Sequence, residues 1–187
     1  MSNLTKFRRT QQWLTFARLW YLYDATYQDV FDSAIVIAQY LRGMNKPIYD
    51  HVRQDVGNHV VVINTSKVSM PVDEWKWRMY SHHSRYGGGQ TWAAAHELHS
   101  KDPTIVLYKA VYKEVGSAPR AVNLIRSPTM ARLHLFPDAC IPPEIKANIC
   151  DQIRQVQPVL KSLKDYSEEE VEKFPKIVDY PEDYVVK

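Results

Sequence analysis

Three places along the chain hold residue types with chemistry to offer. His96-Glu97-Leu98-His99 sets two imidazoles three residues apart, on one face of a helix, where they could share a metal ion. A zinc-protease helix needs His-Glu-x-x-His, with its second His four residues on, and no third ligand is signalled nearby. The competing reading is a pair of solvent-facing histidines on an amphipathic helix. Cys140 and Cys150 have neither CxxC spacing nor an activating basic neighbour, so they read as buried or incidental thiols. The third place is the loop from Ser81 to Gly89, in which His82, His83, Arg85 and Tyr86 precede Gly87-Gly88-Gly89. Consecutive glycines let backbone N–H groups approach a phosphate closely. The loop continues Gln90-Thr91, so it is not a nucleotide P-loop, and it does not match the dinucleotide fingerprint. An RNA sugar-phosphate chain suits this mixture of His, Arg, Tyr and open amides, and a mobile surface loop is the plain alternative.

Basic residues recur beyond that loop at Arg42, Lys46, Lys76, Arg78, Lys109, Lys113, Arg120, Arg126 and Arg132. Aromatic rings sit close by at Tyr40, Tyr49, Trp77, Tyr80, Tyr108 and Tyr112. Interleaved cations and rings describe a nucleic-acid face, where cations neutralise phosphates and rings stack on unpaired bases. Charge along the chain agrees. The 187 residues carry 24 Lys and Arg against 21 Asp and Glu, a balance of +3. From Lys161 onward there are five Lys and eight acids, a balance of −3, which leaves 19 basic and 13 acidic groups, or +6, on the first 160 residues. A basic body with an acidic tail points to a polyanion for the body and a separate role for the tail.

The elements that must position these groups follow from pattern and punctuation. Trp20 to Asp24 is an aromatic, strand-like run; Asp29 and Asp32 are N-cap candidates for a helix carrying Ile35, Ala38, Tyr40 and Leu41, with Gly43 as its stop. His59 to Asn64 is a β-branched run of the kind buried on both faces of a parallel sheet. Strand, helix and strand in this order predict a right-handed βαβ unit. Trp75 to Tyr80 is expected as a third strand, Thr91 to Ser100 as a helix, and Asp102-Pro103 as the start of a helix reaching about Tyr112. Arg132 to Phe136 is a short strand candidate. A helix is expected near Glu144 to Gln155, and Ser167 to Glu170 forms a capping box. The class is α/β with a C-terminal extension.

The overall frame excludes several classes. The length suits one domain, and two cysteines exclude a disulfide scaffold and any four-Cys zinc module. Apolar runs such as Ala34 to Ala38 and Val60 to Ile63 reach about five residues, far short of the ~20 of a membrane helix. The first 23 residues hold no acid but do hold Lys6, Arg8, Arg9 and Arg18 with several hydroxyls, which reads as a mitochondrial targeting segment or a basic arm. Trp13, Phe16, Leu19 and Trp20 fall at helical spacing within it. A soluble, intracellular domain is expected.

Four segments, in order, resemble one family. Trp20-Tyr21-Leu22-Tyr23-Asp24-Ala25 is similar to the Trp-Tyr-x-x-Asp-Ala opening of universal large-subunit ribosomal protein family thirteen. Leu41-Arg42-Gly43-Met44-Asn45-Lys46 through Tyr49 resembles its Leu-Arg-Gly-Lys-x-Lys-x-x-Tyr segment. Asp55-Val56-Gly57-Asn58 resembles its Asp-x-Gly-Asp, and Arg78 to Gly88 its Lys-Val-Tyr-x-x-His-x-Gly-x-x-Gly-Gly loop. The arm from Gln12 to Tyr21, Leu133-His134-Leu135-Phe136-Pro137-Asp138 and Pro181-Glu182-Asp183-Tyr184 resemble mitochondrial members. Three departures stand out: the family's Gly-Met-Leu-Pro-Lys turn is missing after Ala110-Val111, Asn58 stands for its second Asp, and Arg85 replaces a loop glycine.

The resemblance implies a three-layer α/β/α fold with a central four-stranded, mostly parallel sheet, an N-terminal arm (1–19), a core domain (20–138) and a helical, acidic extension (139–187). It implies a structural constituent of the mitochondrial large ribosomal subunit, partnered by rRNA and neighbouring ribosomal proteins, with no catalytic residue, cofactor or metal. The expected RNA-facing residues are Arg42, Lys46, Lys76, Arg78, His82, His83, Arg85, Tyr86, Gly87, Gly88, Lys113, Arg120 and Arg126. Two other classes stand beside it: a metal-dependent hydrolase using His82, His83, His96 and His99, and a protein-interaction adaptor.

Overall fold

A four-stranded parallel sheet forms the centre of the structure, a computed structural model describing residues 13–50, 55–116, 126–159, 161 and 165–175. Strand β1 (Trp20–Asp24) leads to helix α1 (Val30–Arg42) and strand β2 (His59–Ile63), which pairs in parallel with β1, Trp20 opposite His59. The expected βαβ unit is therefore present. Asp29 caps α1, its carboxylate accepting from the N–H groups of Phe31 and Asp32 at 2.6 and 3.3 Å, and Gly43 ends it in the left-handed region at φ 77°. A Cβ at Gly43 would crowd the Val56 carbonyl at 2.8 Å, so glycine is required twice over. The buried residues of α1 (Val30, Ser33, Ala34, Ile37, Ala38 and Leu41) repeat at the helical period. Val60, Val61 and Val62 are all inaccessible to solvent, as befits a central parallel strand covered on both faces.

Beyond β2 come α2 (Glu74–Trp77), β3 (Met79–His83), β4 (Gln90–Ala94), α3 (Ala95–Lys101), α4 (Ile105–Gly116), α5 (Arg126–Met130) and β5 (Leu133–Leu135). Strand β5 pairs with β2, and after α6 (Pro143–Lys146) strand β6 (Ile149–Gln152) pairs with β1, giving the order β5-β2-β1-β6. Helix α1 packs on α4, and their apolar faces close the core around Tyr23, Val60 and Val62. The crossover from β5 to β6 runs from one sheet edge to the other, opposite in direction to the earlier crossovers. Right-handedness then assigns it to the other face, which completes three layers. Among the described residues no helix is long and apolar enough to cross a membrane.

Four sequence expectations change. Trp75 to Trp77 is not strand: Lys76 and Trp77 donate backbone bonds to Asp73, and the Glu74–Arg78 ion pair, four apart, holds a helical turn. The helix expected from Thr91 begins only at Ala95, because Gln90–Ala94 pairs antiparallel with β3. The helix expected to Gln155 stops at Lys146, since Ile149–Gln152 completes the open edge of β1, and sheet pairing outweighs local helical preference. The arm's helical pattern yields one turn at residues 13–16, closed by Ala17 N–H to Trp13 O, before Trp20 enters the sheet. Residues 1–157 form one compact unit and 158–187 a second. The second contains α7 (Glu168–Glu172), begun by the Ser167 N–H on the Glu170 carboxylate, with Tyr166 edge-on to Phe174 at 5.2 Å.

Candidate nucleic-acid interface

Strands β3 and β4 form a two-stranded ribbon that stands apart from the main sheet. Its root is anchored. Tyr80 packs against the core, burial pushes its phenol pKa up, and Lys109 lies over its ring at 5.8 Å. The Ala95 N–H donates to the Arg78 carbonyl. From there outward the ribbon is open to solvent: Ser81, His82, His83, Ser84, Arg85, Tyr86, Gly87 and Gly88 are all exposed.

The tip turn is built from inside. Ser84 N–H donates to Gly89 O at 3.1 Å, Gly89 N–H to Tyr86 O at 3.0 Å, and Arg85 N–H to His83 Nδ1 at 2.9 Å. Arg85 sits in the left-handed region at φ 68°, where the family pattern has glycine; this costs roughly 1–2 kcal/mol and holds a charge at the tip. Gly88 shares that region at φ 72°. Gly89 is tight, because a Cβ would run into the Ser84 hydroxyl. Gly87 differs from both: its φ is not positive and a Cβ there would meet nothing within 4 Å. Folding does not require Gly87 to be glycine. A bare backbone at that place makes sense for a ligand that must come close.

The structure gathers Lys76, Arg78, His82, His83, Arg85, Tyr86, Gly87 and Gly88 on this one ribbon and its root. Arg78 is held by Glu74 at 2.6 Å and lies over the Phe31 ring at 4.1 Å. A second group gathers around the C-terminal half of α4. Arg42 lines a cavity of about 160 Å³ with Ile35, Ala38, Gln39, Met44 and Glu114. The Arg126 guanidinium covers the Tyr112 ring at 4.5 Å and fills the space above Gly116. Lys113 is exposed on the same helix. Arg120 lies outside the described residues.

Lys46 belongs to neither group. It is only 7% exposed, and its ammonium donates to the carbonyls of Ala17 and Val56 at 2.6 and 2.9 Å. Burial, then the charges of Arg18 and Arg132, push its pKa down. Beside it, Arg132 grips Asp55 through two 2.7 Å bonds, one to each carboxylate oxygen, and also donates to the Leu41 carbonyl at 3.1 Å. Burial alone would raise the Asp55 pKa, but Arg132 and Arg18 hold it below the usual carboxylate value. A Cβ on Gly57 would run into the Leu41 carbonyl and Arg132. Asn58 is inaccessible and uses its whole amide: Nδ2 donates to Tyr40 O and Asn45 Oδ1, and Oδ1 accepts from Leu19 N–H. Asn58 does more than keep a turn, since a carboxylate there would take the donor from Asn45 Oδ1 and set an anion against the Tyr40 carbonyl.

The four histidines of the hydrolase reading are not brought together. His96 Nδ1 meets Trp75 O, while His99 Nε2 meets Ser66 O and its ring lies against Trp75 at 4.8 Å. No group of three or more His, Cys, Asp or Glu among the described residues is placed to hold a metal. Cys140 and Cys150 are exposed rather than buried. At the carboxyl ends of β1 and β6, where open α/β sheets hold their ligands, the protein fills its own crevice. Gln28 and Gln157 exchange 2.9 Å bonds there, and Gln155 donates to Asp24 O at 3.0 Å.

Met79 and Trp92 were not expected as part of a site; with Trp77, expected only among the rings beside cations, they are 50, 59 and 80% exposed respectively. Thr91 and Trp92 after a glycine run carried the β signal that would have revealed the ribbon.

A sequence profile described as ribosomal protein L13 matches residues 18–142. The large ribosomal subunit protein uL13m of Drosophila melanogaster is 47% identical over 180 residues, covering 96% of this chain and 98% of that one. The uL13 proteins of Acholeplasma laidlawii and Syntrophus aciditrophicus are 40 and 41% identical over 52 and 51% of this chain, and 68 and 66% of their own. The matched span contains the parallel sheet up to β5, the ribbon and the Asp55–Arg132 clasp, and the chain belongs to the ribosomal protein L13 family.

Proposed function

We propose that this chain serves as a structural constituent of the mitochondrial large ribosomal subunit, where it binds and organises rRNA. The observation that carries this reading is the near full-length likeness to a mitochondrial uL13m, arm and tail included. The protein is not an enzyme; its partners are rRNA and ribosomal proteins, and it works in the mitochondrion.

The ribbon supports a division of labour within that role. Its tip offers exposed cations, imidazoles and approachable amides, the equipment of phosphate contact, which fixes register without reading sequence. Lys76, Arg78, His82, His83, Arg85, Tyr86, Gly87 and Gly88 are the primary contact set. Arg42, Lys113 and Arg126 form a second set nearer α4, and Arg120 joins the proposed contacts on its sequence alone. The basic arm (1–19) adds to the RNA side of the core, and the acidic tail from Lys161 onward faces neighbouring proteins, since a −3 segment gains nothing from phosphate.

Sedimentation of mitochondrial lysate through a sucrose gradient after a stringent salt wash tests the assignment. Co-migration with the large subunit is expected; a peak at the top of the gradient with no large-subunit pool would refute it. Deleting residues 161–187 should spare RNA affinity and weaken retention of a neighbouring protein.

A further inference from the structure

The root of the ribbon holds a feature that phosphate contact leaves unexplained. Between α2 and β3, the side chains of Glu74, Trp77, Arg78 and Met79 line a cavity of about 370 Å³. Its walls are an indole 80% exposed and a thioether 50% exposed. Large apolar groups grouped at one surface site mark a place of binding. Trp92 stands on the same face of the ribbon: it lies opposite Ser81, two residues along from Met79. The polar side of the cavity is already set. Arg78 is fixed from beneath by the Phe31 ring at 4.1 Å, and both its Nε and its Nη2 reach Glu74 Oε2 at 2.6 Å. Glu74 Oε1 accepts no hydrogen bond from the described residues.

Charge and shape decide the occupant. Glu74 at the cavity is matched by Arg78, and from Trp75 to His96 the chain holds no other acid while Lys76 and Arg85 stay exposed as its cations. That is complementary to a polyanion, not to an acid-poor apolar partner surface. On a polyanion, exposed rings find bases, and a base offers its face to a ring only when it is unstacked. The fixed Glu74–Arg78 pair presents an acceptor beside a donor. The Watson–Crick edge of every base carries a donor beside an acceptor, and pairing occupies it. Such a cavity distinguishes an unpaired base from a paired one without choosing among the four.

We infer that the cavity between Glu74, Trp77, Arg78 and Met79 takes one unpaired RNA base, stacked on Trp77 with its Watson–Crick edge toward the Glu74–Arg78 pair. This rests on the RNA-binding reading above. The ribbon thus grips RNA twice: phosphates at its tip, and a splayed base at its root.

The test uses the full chain with a labelled single-stranded RNA and a blunt-ended, fully paired RNA duplex of the same composition, each read by fluorescence anisotropy over a salt series. Trp77→Ala should weaken single-strand binding by about 5- to 150-fold, the range of one stacked base, and leave duplex binding and the salt slope almost unchanged. Trp77→Phe should recover most of the loss. Trp77 is 80% exposed, so its replacement leaves the fold intact, which a thermal melt confirms. Salt-sensitive binding that is equal in wild type and Trp77→Ala would overturn the base site while leaving the RNA reading standing. Loss of a ribosomal protein neighbour by Trp77→Ala, with RNA binding unchanged, would overturn it in favour of a protein partner. No salt-sensitive RNA binding by the wild type would overturn both.

Discussion

Two regions of this molecule are rich in basic residues drawn from family segments, and they use them in opposite directions. At the start of β2, Lys46 and Arg132 point inward and satisfy the fold: one ammonium on two carbonyls, one guanidinium on Asp55 and Leu41. On the β3–β4 ribbon and the helical turn at its root, Arg85 and Lys76 are exposed, and the tip is closed without either side chain. Membership of a basic segment is therefore no guide to what a cation does. Burial separates the two kinds, because a charge taken from water must find its partners inside the protein.

The contrast is broken most severely at Arg132. Truncation to Ala strips the part-buried Asp55 carboxylate of both 2.7 Å bonds, leaving it only the exposed Arg18 at 3.3 Å and the Gly57 N–H, and takes the guanidinium from the Leu41 carbonyl. Breaking a buried pair in this way costs about 3–5 kcal/mol, seen as a lower urea midpoint. RNA affinity of the folded fraction should be unchanged. Lys46→Met comes next. It strands two carbonyls but also removes a charge repelled by Arg18 and Arg132, so a loss of about 1–2 kcal/mol is expected. The salt slope of RNA binding should stay as in wild type; a slope reduced by one phosphate contact would place Lys46 on the RNA after all.

The ribbon responds in the reverse sense. Arg85→Gly relieves a left-handed non-glycine residue and should stabilise the protein by about 1 kcal/mol while lowering the salt slope by about one. Gly87→Ala meets no steric obstacle, so stability should be unchanged or higher by up to ~1 kcal/mol, yet RNA affinity should fall. A stabilised variant that binds worse is the signature of a site held for its ligand.

How much of this was legible in the sequence follows the same division. Asp29, Gly43 and the Val60–Val62 run announced α1 and β2 because their signals are local: a cap, a stop and a β-branched run. Strand β6 was hidden, since Ile149 to Gln152 acquires its conformation from the edge of β1, more than a hundred residues away. The tip of the ribbon was legible through its glycines and histidines. Its root was not, because a helical turn tied by Glu74–Arg78 reads as an alternating strand, and only that turn brings Trp77 beside Met79. The inward bonds of Lys46 and the seat of Arg126 on Tyr112 were hidden, because no sequence pattern reports which carbonyl or ring a long cation will meet.

Acid provides the finest test of the inward region. Trp20, His59 and His134 stack there, with His59 4.1 Å and His134 5.1 Å from the indole. His59 Nδ1 and His134 Nε2 are buried without a hydrogen-bond partner among the described residues. Burial lowers both pKa values, and for His59 the nearby His134, Arg132 and Arg18 lower it further. The folded protein therefore keeps these rings neutral, while the unfolded chain takes up protons as pH falls through the ordinary histidine value near 6.5. Protons bound only by the unfolded chain favour unfolding. Stability should hold steady above that value and decline below it, levelling off once the pH passes beneath the folded values. A second decline belongs to Asp55 and Asp24, whose carboxylates are held below the usual value of 3.8 despite their burial; what they contribute is present above 3.8 and lost as pH falls through their folded values. Urea midpoints measured from pH 7.5 to 5 isolate the first decline. His134→Phe, which keeps a ring in the stack but binds no proton, should remove the His134 share and make the decline shallower while His59 keeps its own, whereas an unaltered slope would show that the stacked histidines are not its source.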